Sequence, residues 1–276
     1  MHYFYLIVTL LFFSSIEVVT KPVSGKIDPF FLTFFRFLIG GSFLILFSLF
    51  SKKRIESRDL PKLILIGCLN GVISMSLLQL SVKYSNASTA ATLVAMNPLY
   101  VSMFSQLLGK DRLSRRKWFG VALGALGVLV LSSANVSGDS ALGIVFGISA
   151  SISFALYTVL MKDFSNKYGP LLATSVSTFA AGIVYGALLA IFGRLSLLDV
   201  NWCEGLILLY VGIGVTGVAY VTFFKAIQHF GPVKTSVIFY LKPAVASFLA
   251  FLLLSETVNA QKIIGTIIVV VSLFLK

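Results

Sequence analysis

The sequence predicts an all-α membrane protein with ten transmembrane helices arranged as two inverted five-helix repeats. Three observations lead to this fold class. Hydrophobic residues make up 58% of the 276 residues and charged residues only 12%, against about 25% charged residues in a typical soluble domain. Ten apolar segments approach the roughly 20 residues that a membrane-spanning helix needs. Finally, a set of proline, glycine and charged residues recurs at a nearly constant offset between the two halves of the chain.

The ten apolar segments follow one another with short gaps. The first lacks the basic start and small-residue cleavage site of a signal peptide, so we interpret it as the first span. The gaps contain turn formers such as Pro22–Gly25 and Gly231–Pro232, and none is long enough for a soluble domain. The predicted spans are 3–21, 30–50, 62–82, 88–108, 114–133, 141–162, 170–192, 204–226, 235–254 and 259–275.

The recurring residues divide the chain into two halves. An offset of 145 relates Pro98, Asp111 and Gly120 to Pro243, Glu256 and Gly265. An offset of 141 relates Lys21, Pro29 and Gly41 to Lys162, Pro170 and Gly182. We therefore predict a first repeat at residues 1–135 and a second at residues 136–276. Because five spans is an odd number, the second repeat enters the membrane upside down, as in alternating-access transporters.

The basic residues predict the orientation. Of the 22 lysine and arginine residues, 15 lie in or beside the even-numbered loops and the C-terminus, and only five in the odd-numbered loops. The even-numbered loops and both termini should therefore be cytoplasmic in a protein of the plasma membrane. The turn GKDRLSRRKW after span 4 has the counterpart LSETVNAQKI after span 9, which has lost the basic cluster. This loss fits an inverted second repeat, and the net charge of +12 is assigned to topology rather than to nucleic-acid binding.

Two segments that carry these markers resemble a known family. NPLYVSMFSQLLGKDRLSRRKWFGVALGALGVLVL and KPAVASFLAFLLLSETVNAQKIIGTIIVVVSLFL are similar to the paired segments of EamA-domain proteins in the drug/metabolite transporter superfamily. The resemblance covers essentially the whole chain. It implies ten spans in two inverted repeats, a central cavity and the transport of small metabolites, often as export, with substrates that vary widely within the superfamily.

Three charged residues inside the predicted spans are candidate site residues, namely Glu17, Arg36 and Lys242. A charge at the centre of a membrane helix costs roughly 2.5–3.5 kcal/mol, so such residues usually face a cavity or a partner. Two interpretations of Glu17 stay open. It forms a structural ion pair with Arg36 or Lys21, or it is a site for a proton or a cationic substrate.

Polar residues beside the two matched prolines form a second candidate set. Asn97 precedes Pro98 and Lys242 precedes Pro243, and each proline kinks its helix and frees a backbone carbonyl. Either Asn97 only satisfies the loosened backbone, or both polar residues face a central site in which Lys242 binds an anionic group. Three tyrosines deep within spans either pack or line the same cavity: Tyr157, Tyr185 and Tyr240.

The sequence contains no arrangement typical of an enzyme. Its two cysteines and two histidines form no metal-ligand spacing, and no nucleophile–base pattern or phosphate-binding loop is present. We therefore expect no cofactor, no metal and no catalytic activity. The expected function is secondary transport of small metabolites by alternating access, with amino-acid-like compounds as the first candidates and export as the direction. Protons are a candidate coupling ion, and the assembly is either a monomer or a homodimer. A drug or cationic-toxin efflux carrier is the nearest alternative, and a passive channel is a further one.

Overall fold

A computed structural model describes most of the chain. The described residues are 2–23, 26–51, 53–84, 90, 93–110, 114–132, 140–194 and 201–254, with the single positions 264, 267, 268, 271 and 272. Within the helices, the side chains at 17, 21, 117, 128, 131, 132, 250 and 254 are not described. The described part of the chain contains helices and turns but no strand, which confirms the prediction of an all-α protein.

Nine helices are described. They are α1 His2–Thr20, α2 Pro29–Ser48, α3 Leu60–Tyr84, α4 Asn97–Leu107, α5 Arg115–Ser132, α6 Ala141–Tyr168, α7 Pro170–Ile191, α8 Trp202–Phe230 and α9 Pro232–Leu253. Among the described residues, seven helices are long and apolar enough to cross a membrane, namely all except α4 and α5. The chain is therefore a multi-pass membrane protein. The predicted tenth span, 259–275, lies outside the described residues apart from five single positions.

Local sequence explains where several helices begin. Pro29 starts α2, and the Asp28 side chain accepts hydrogen bonds from the backbone N–H groups of Phe30 and Phe31 at 2.7 and 3.3 Å. Proline is favoured at the first helical position because its missing N–H would have no partner there. The sharp corner before α7 contains Gly169 at φ +91°, a conformation that costs glycine little.

The two central helices, α2 and α7, approach each other through glycines. A methyl group added to Gly41 would lie 2.5 Å from the Cα atom of Phe179, and one added to Gly182 would lie 2.9 Å from the backbone nitrogen of Leu38. Adding 141 to the numbers of Gly41 and Leu38 gives Gly182 and Phe179, so the two contacts are equivalent under the repeat offset.

A second pair of close contacts follows the same rule. A methyl group on Gly40 of α2 would lie 2.6 Å from the carbonyl oxygen of Gly212 in α8. One on Gly71 of α3 would lie 2.8 Å from the Cβ atom of Ala181 in α7. Under the offset of 141, Gly40 corresponds to Ala181 and Gly71 corresponds to Gly212. The α2–α8 and α3–α7 pairs therefore pack at equivalent positions.

Helices α3 and α8 each contain a wider, π-helical segment. These segments span Leu69–Ser74 and Tyr210–Val218, and their first residues are again 141 positions apart. π-Helical segments are rare in proteins overall, but those that occur often lie at functional sites. Both border the cavity described next.

Candidate functional site

A cavity of about 60 Å³ lies between α1, α2, α3, α6, α8 and α9. Its volume holds a few water molecules. Four aromatic rings form much of its wall: Phe13, Phe154, Tyr220 and Phe239. Of the lining residues that the structure describes, only Arg36 and Lys242 carry a charge, and both are basic. The cavity therefore combines an apolar wall with positive charge.

Equivalent positions of the two halves line this cavity together. Phe13 and Phe154 are 141 positions apart, as are Ser74 and Val215, and Val94 and Phe239 are 145 positions apart. The two basic residues depart from this equivalence, since Arg36 corresponds to Ser177 and Lys242 to Asn97. Three pairs of wall residues thus follow the repeat, whereas the two charged residues do not.

Arg36 is oriented by the π-helical segment of α8. Only 4% of Arg36 is exposed, and its Nε donates a hydrogen bond to Thr216 Oγ1 at 2.9 Å. The Thr216 hydroxyl in turn donates to the carbonyl oxygen of Val211 at 3.0 Å. The guanidinium also lies 5.4 Å from the centre of the Phe37 ring, within the range of a cation–π contact. These contacts fix the plane of the guanidinium at the cavity wall.

Lys242 lies where α9 changes its helical form. A tighter 3-10 turn at Val237–Tyr240 precedes it, and Pro243 follows it in the sequence. Only 5% of Lys242 is exposed, and its side chain lines the cavity. The backbone irregularity thus coincides with an ammonium group held deep inside the helix bundle.

Tyr220 lines the cavity although the sequence did not single it out. Its hydroxyl accepts a hydrogen bond from Asn70 Nδ2 at 3.1 Å, which joins α8 to the π-helical segment of α3. The predicted span 204–226 placed Tyr220 near a membrane interface, where tyrosines usually act as anchors. Helix α8 instead continues to Phe230, so Tyr220 lies deeper than the prediction assumed.

Asn97 and Pro98 lie outside the cavity lining. Asn97 is fully buried and donates from Nδ2 to the carbonyl oxygen of Ser151 at 3.3 Å, while Pro98 beside it is buried too. Glu17 belongs to α1, directly after the cavity-lining Ile16. Its side chain lies outside the described residues, so its pairing with Arg36 or Lys21 stays a prediction.

The three predicted tyrosines pack outside the lining. Tyr157 lies against Tyr220, with ring centres 6.3 Å apart, and its hydroxyl has no hydrogen-bond partner among the described residues. The Tyr185 hydroxyl lies 3.0 Å from the hydroxyl of Ser76, and the Tyr240 hydroxyl donates to the carbonyl oxygen of Val121 at 2.8 Å. Tyr185 and Tyr240 therefore connect helices, and Tyr157 supports the cavity wall through Tyr220.

Relatives of this chain include proteins named as transporters. One is an uncharacterized transporter of Clostridium kluyveri, 30% identical over 281 residues that cover 98% of this chain and 90% of the relative. Another is a WAT1-related chloroplastic protein of Arabidopsis thaliana, 24% identical, with 98% of this chain and 68% of that protein covered. One crystal structure matches with a TM-score of 0.82 at 20% identity, covering 98% of this chain and 97% of that one. This last likeness shows the fold alone.

The family assignment rests on the whole chain. The profile of the EamA-like transporter family matches residues 1–133 and again residues 141–275. The matches agree with the membrane-spanning helices and with the resemblance seen in the two proline-containing segments. The chain belongs to the EamA-like transporter family, within the drug/metabolite transporter superfamily.

Proposed function

We propose that this chain is a secondary transporter that exports small carboxylate-bearing metabolites, amino-acid-like compounds first, across the plasma membrane by alternating access. The observation that carries the proposal is the presence of two buried basic residues, Arg36 and Lys242, in the wall of one cavity. Buried basic residues inside a membrane protein usually serve substrate or ion pathways. The same two charges speak against the alternative of a cationic-toxin carrier, because they would repel its cargo.

The proposed architecture is ten spans in two inverted repeats, with boundaries at 1–135 and 136–276. Three observations support it. The family profile matches the chain twice, the glycine contacts of α2 and α7 are reciprocal under the offset of 141, and equivalent residues of both halves line the cavity. Inverted repeats around a central site are the usual basis of alternating access. A passive channel would not require this arrangement.

Binding should involve widening of the cavity. A volume of about 60 Å³ holds a few waters but not an amino acid, so the helices must separate to admit one. Lys242 would then face the carboxylate as a compact charge, Arg36 would offer its oriented guanidinium, and Phe13, Phe154 and Phe239 would contact the apolar part of the substrate.

Counterflow in proteoliposomes tests the proposal. A panel of anionic, zwitterionic and cationic amino acids is measured at two pH values, and saturable exchange of carboxylates identifies a carrier. Lys242→Met should weaken carboxylate affinity about ten- to hundredfold, because a charge-assisted hydrogen bond contributes about 1.5–3 kcal/mol. The control is Lys225→Met, which removes an exposed lysine near Tyr5 and should leave affinity unchanged. Unchanged affinity in Lys242→Met contradicts the proposed site.

The same assay addresses proton coupling. We propose Glu17 as the site of the coupling proton, since it is the acidic residue placed within the first span. In that case Glu17→Gln removes the pH dependence of exchange. If the variant retains both exchange and its pH dependence, Glu17 is a structural residue.

A further inference from the structure

Two lysines lie at matching corners of the two halves. Lys26 lies three residues before Pro29, the first residue of α2, and Lys167 lies three residues before Pro170, the first residue of α7. The lysines are 141 positions apart, the offset that also relates α2 to α7. Each forms an ion pair with the beginning of a helix from the other half of the chain.

Lys26 binds the first turn of α8. Its Nζ lies 3.0 Å from Glu204 Oε1, and the Glu204 side chain is only 9% exposed. The other carboxylate oxygen of Glu204 accepts a hydrogen bond from the backbone N–H of Asn201 at 3.1 Å. A negative charge is favourable at the N-terminus of a helix, so the carboxylate is held in place before it meets the lysine.

Lys167 binds the beginning of α3. Its Nζ lies 2.7 Å from Glu56 Oε1 and 2.7 Å from Oδ2 of Asp59, the residue that precedes α3. The Tyr168 hydroxyl also donates to Asp59 Oδ2 at 2.7 Å, and Lys53 Nζ donates to the backbone carbonyl oxygen of Lys167 at 3.1 Å. This corner therefore has more polar contacts than the corner at Lys26.

These ion pairs follow the helix packing rather than the order of the chain. Helix α2 packs along the π-helical segment of α8, and α1 packs against α8 and α9. Helix α7 packs along α3, and α6 packs against α3 and α4. We name α3, α4, α6 and α7 body A, and α1, α2, α8 and α9 body B. An extensive contact between two helices, that of α2 with α7, joins the two bodies.

We propose that Lys26 and Lys167 are positioning residues that fasten α2 to body B and α7 to body A. Each moving unit of the transport cycle then contains helices from both halves of the chain. The inference rests on the alternating access proposed above. The bodies move against each other at the α2–α7 contact, where Gly41 and Gly182 let the two backbones approach closely. An ion pair inside a moving body stays formed throughout the cycle, whereas an ion pair that acts as a gate must break in every cycle.

Reversible crosslinking distinguishes these two roles. In a Cys68→Ala/Cys203→Ser background, one variant contains Lys26→Cys with Glu204→Cys and a second contains Lys167→Cys with Asp59→Cys. A third variant, Val101→Cys with Val233→Cys, links body A to body B, because both valines lie in one apolar cluster between α4 and α9. A short bifunctional thiosulfonate crosslinks the two cysteines of each pair. Hydrogen–deuterium exchange of the backbone amides of α4 and α9 then measures how readily the two bodies separate, and this measurement requires no substrate.

The expected result differs between the pairs. Crosslinking the cysteines at either lysine ion pair should leave the exchange rates of α4 and α9 within about twofold of those in the reduced sample. Crosslinking the cysteines at the valine positions should slow exchange about tenfold or more, and added reductant should reverse this effect. If a lysine pair slows exchange as the valine pair does, that pair is a gate and the inference is overturned while the transport cycle stands. If the closed valine pair changes nothing, the bodies do not move against each other, which overturns both the inference and the proposed cycle.

Discussion

At the scale of single residues, length and position decide which polar groups reach the cavity. Asn97 and Lys242 occupy equivalent positions before matched prolines, yet only Lys242 lines the cavity. The four-carbon stem of lysine extends further from the backbone than the short asparagine side chain. Asn97 instead bonds to the carbonyl oxygen of Ser151. Of the two matched positions, therefore, only the one in α9 belongs to the cavity wall, and there the long lysine side chain reaches the cavity.

Two tyrosines should respond differently to the loss of the hydroxyl group. Tyr240→Phe removes the buried hydrogen bond to the carbonyl oxygen of Val121 and should lower stability by about 0.5–1.5 kcal/mol without altering substrate affinity. Tyr220→Phe removes a hydroxyl from the cavity wall and should alter affinity. Thermal unfolding in detergent and counterflow measure the two effects. A change in affinity for Tyr240→Phe alone would reverse the assignment.

The cluster around Lys167 should be insensitive to pH over the physiological range. Hydrogen bonding from Lys167, and then from Tyr168, lowers the pKa of Asp59, and Lys167 together with Arg58 lowers the pKa of Glu56. A carboxyl group with a lowered pKa stabilises the fold fully at pH values above its ordinary pKa of about 4. This contribution is lost as the pH falls through the lowered pKa.

Lys167→Met tests this dependence. The variant should unfold at a lower temperature than the wild type by a constant margin from pH 8 to pH 5. The margin should shrink below about pH 4, where the carboxyl groups take up protons in both proteins. Lys162→Met, which removes a lysine bonded to the carbonyl oxygen of Lys110, is the matched control. A margin that grows in acid would contradict the assignment.

At the scale of helices, close approach depends on the absence of side chains. Helices α2 and α7 meet where Gly41 faces the backbone of Phe179 and Gly182 faces that of Leu38. Glycine and other small residues are typical of membrane helix interfaces, because they let backbones approach closely. The recurrence of Gly41 as Gly182 was visible in the sequence. The contact itself was not, since it depends on which helices pack together.

Gly41→Ala should destabilise the protein. The added methyl group would lie 2.5 Å from the Cα atom of Phe179, and overpacking of this kind typically costs about 1–3 kcal/mol. Gly205→Ala is the matched control, because nothing lies within 4 Å of the added group and alanine favours the helix by about 1 kcal/mol. Thermal unfolding should show a lower midpoint for Gly41→Ala than for Gly205→Ala. Equal midpoints would show that α2 and α7 separate at little cost.

At the scale of the whole molecule, the sequence predicted the all-helical membrane fold. Apolar segments of sufficient length and helix-starting prolines such as Pro29 and Pro170 carry that information locally. Arg36 and Lys242 were predicted as cavity residues because buried charge is costly in a membrane. The π-helical segments and Tyr220 were not predicted, since their positions depend on contacts between helices that are distant in the chain. The sequence gives the same signal, a tyrosine within an apolar span, for Tyr220 and for three tyrosines that pack outside the cavity lining: Tyr157, Tyr185 and Tyr240.

The predicted topology can be measured with native and introduced cysteines. Cys203 is exposed at the start of α8, in the region after the seventh predicted span, and should react with an impermeant maleimide added outside intact cells. In a Cys68→Ala/Cys203→Ser background, Lys53→Cys lies in the second predicted loop and should react only after the membrane is permeabilised. Labelling of the two positions from the same side would contradict the inverted arrangement.

The change in repeat offset along the cavity wall has an energetic consequence. From Ser74 to Val94 the chain advances 20 positions, but from the equivalent Val215 to Phe239 it advances 24. The four additional residues correspond to about one helical turn, or roughly 6 Å of helix. In the proposed alternating-access cycle, exchanging the two halves therefore cannot convert one end state into the other without loss or gain of contacts. The empty carrier should consequently rest on a preferred side of the membrane, and substrate offered from the two faces should bind with unequal apparent affinity, by tenfold for each 1.4 kcal/mol of difference.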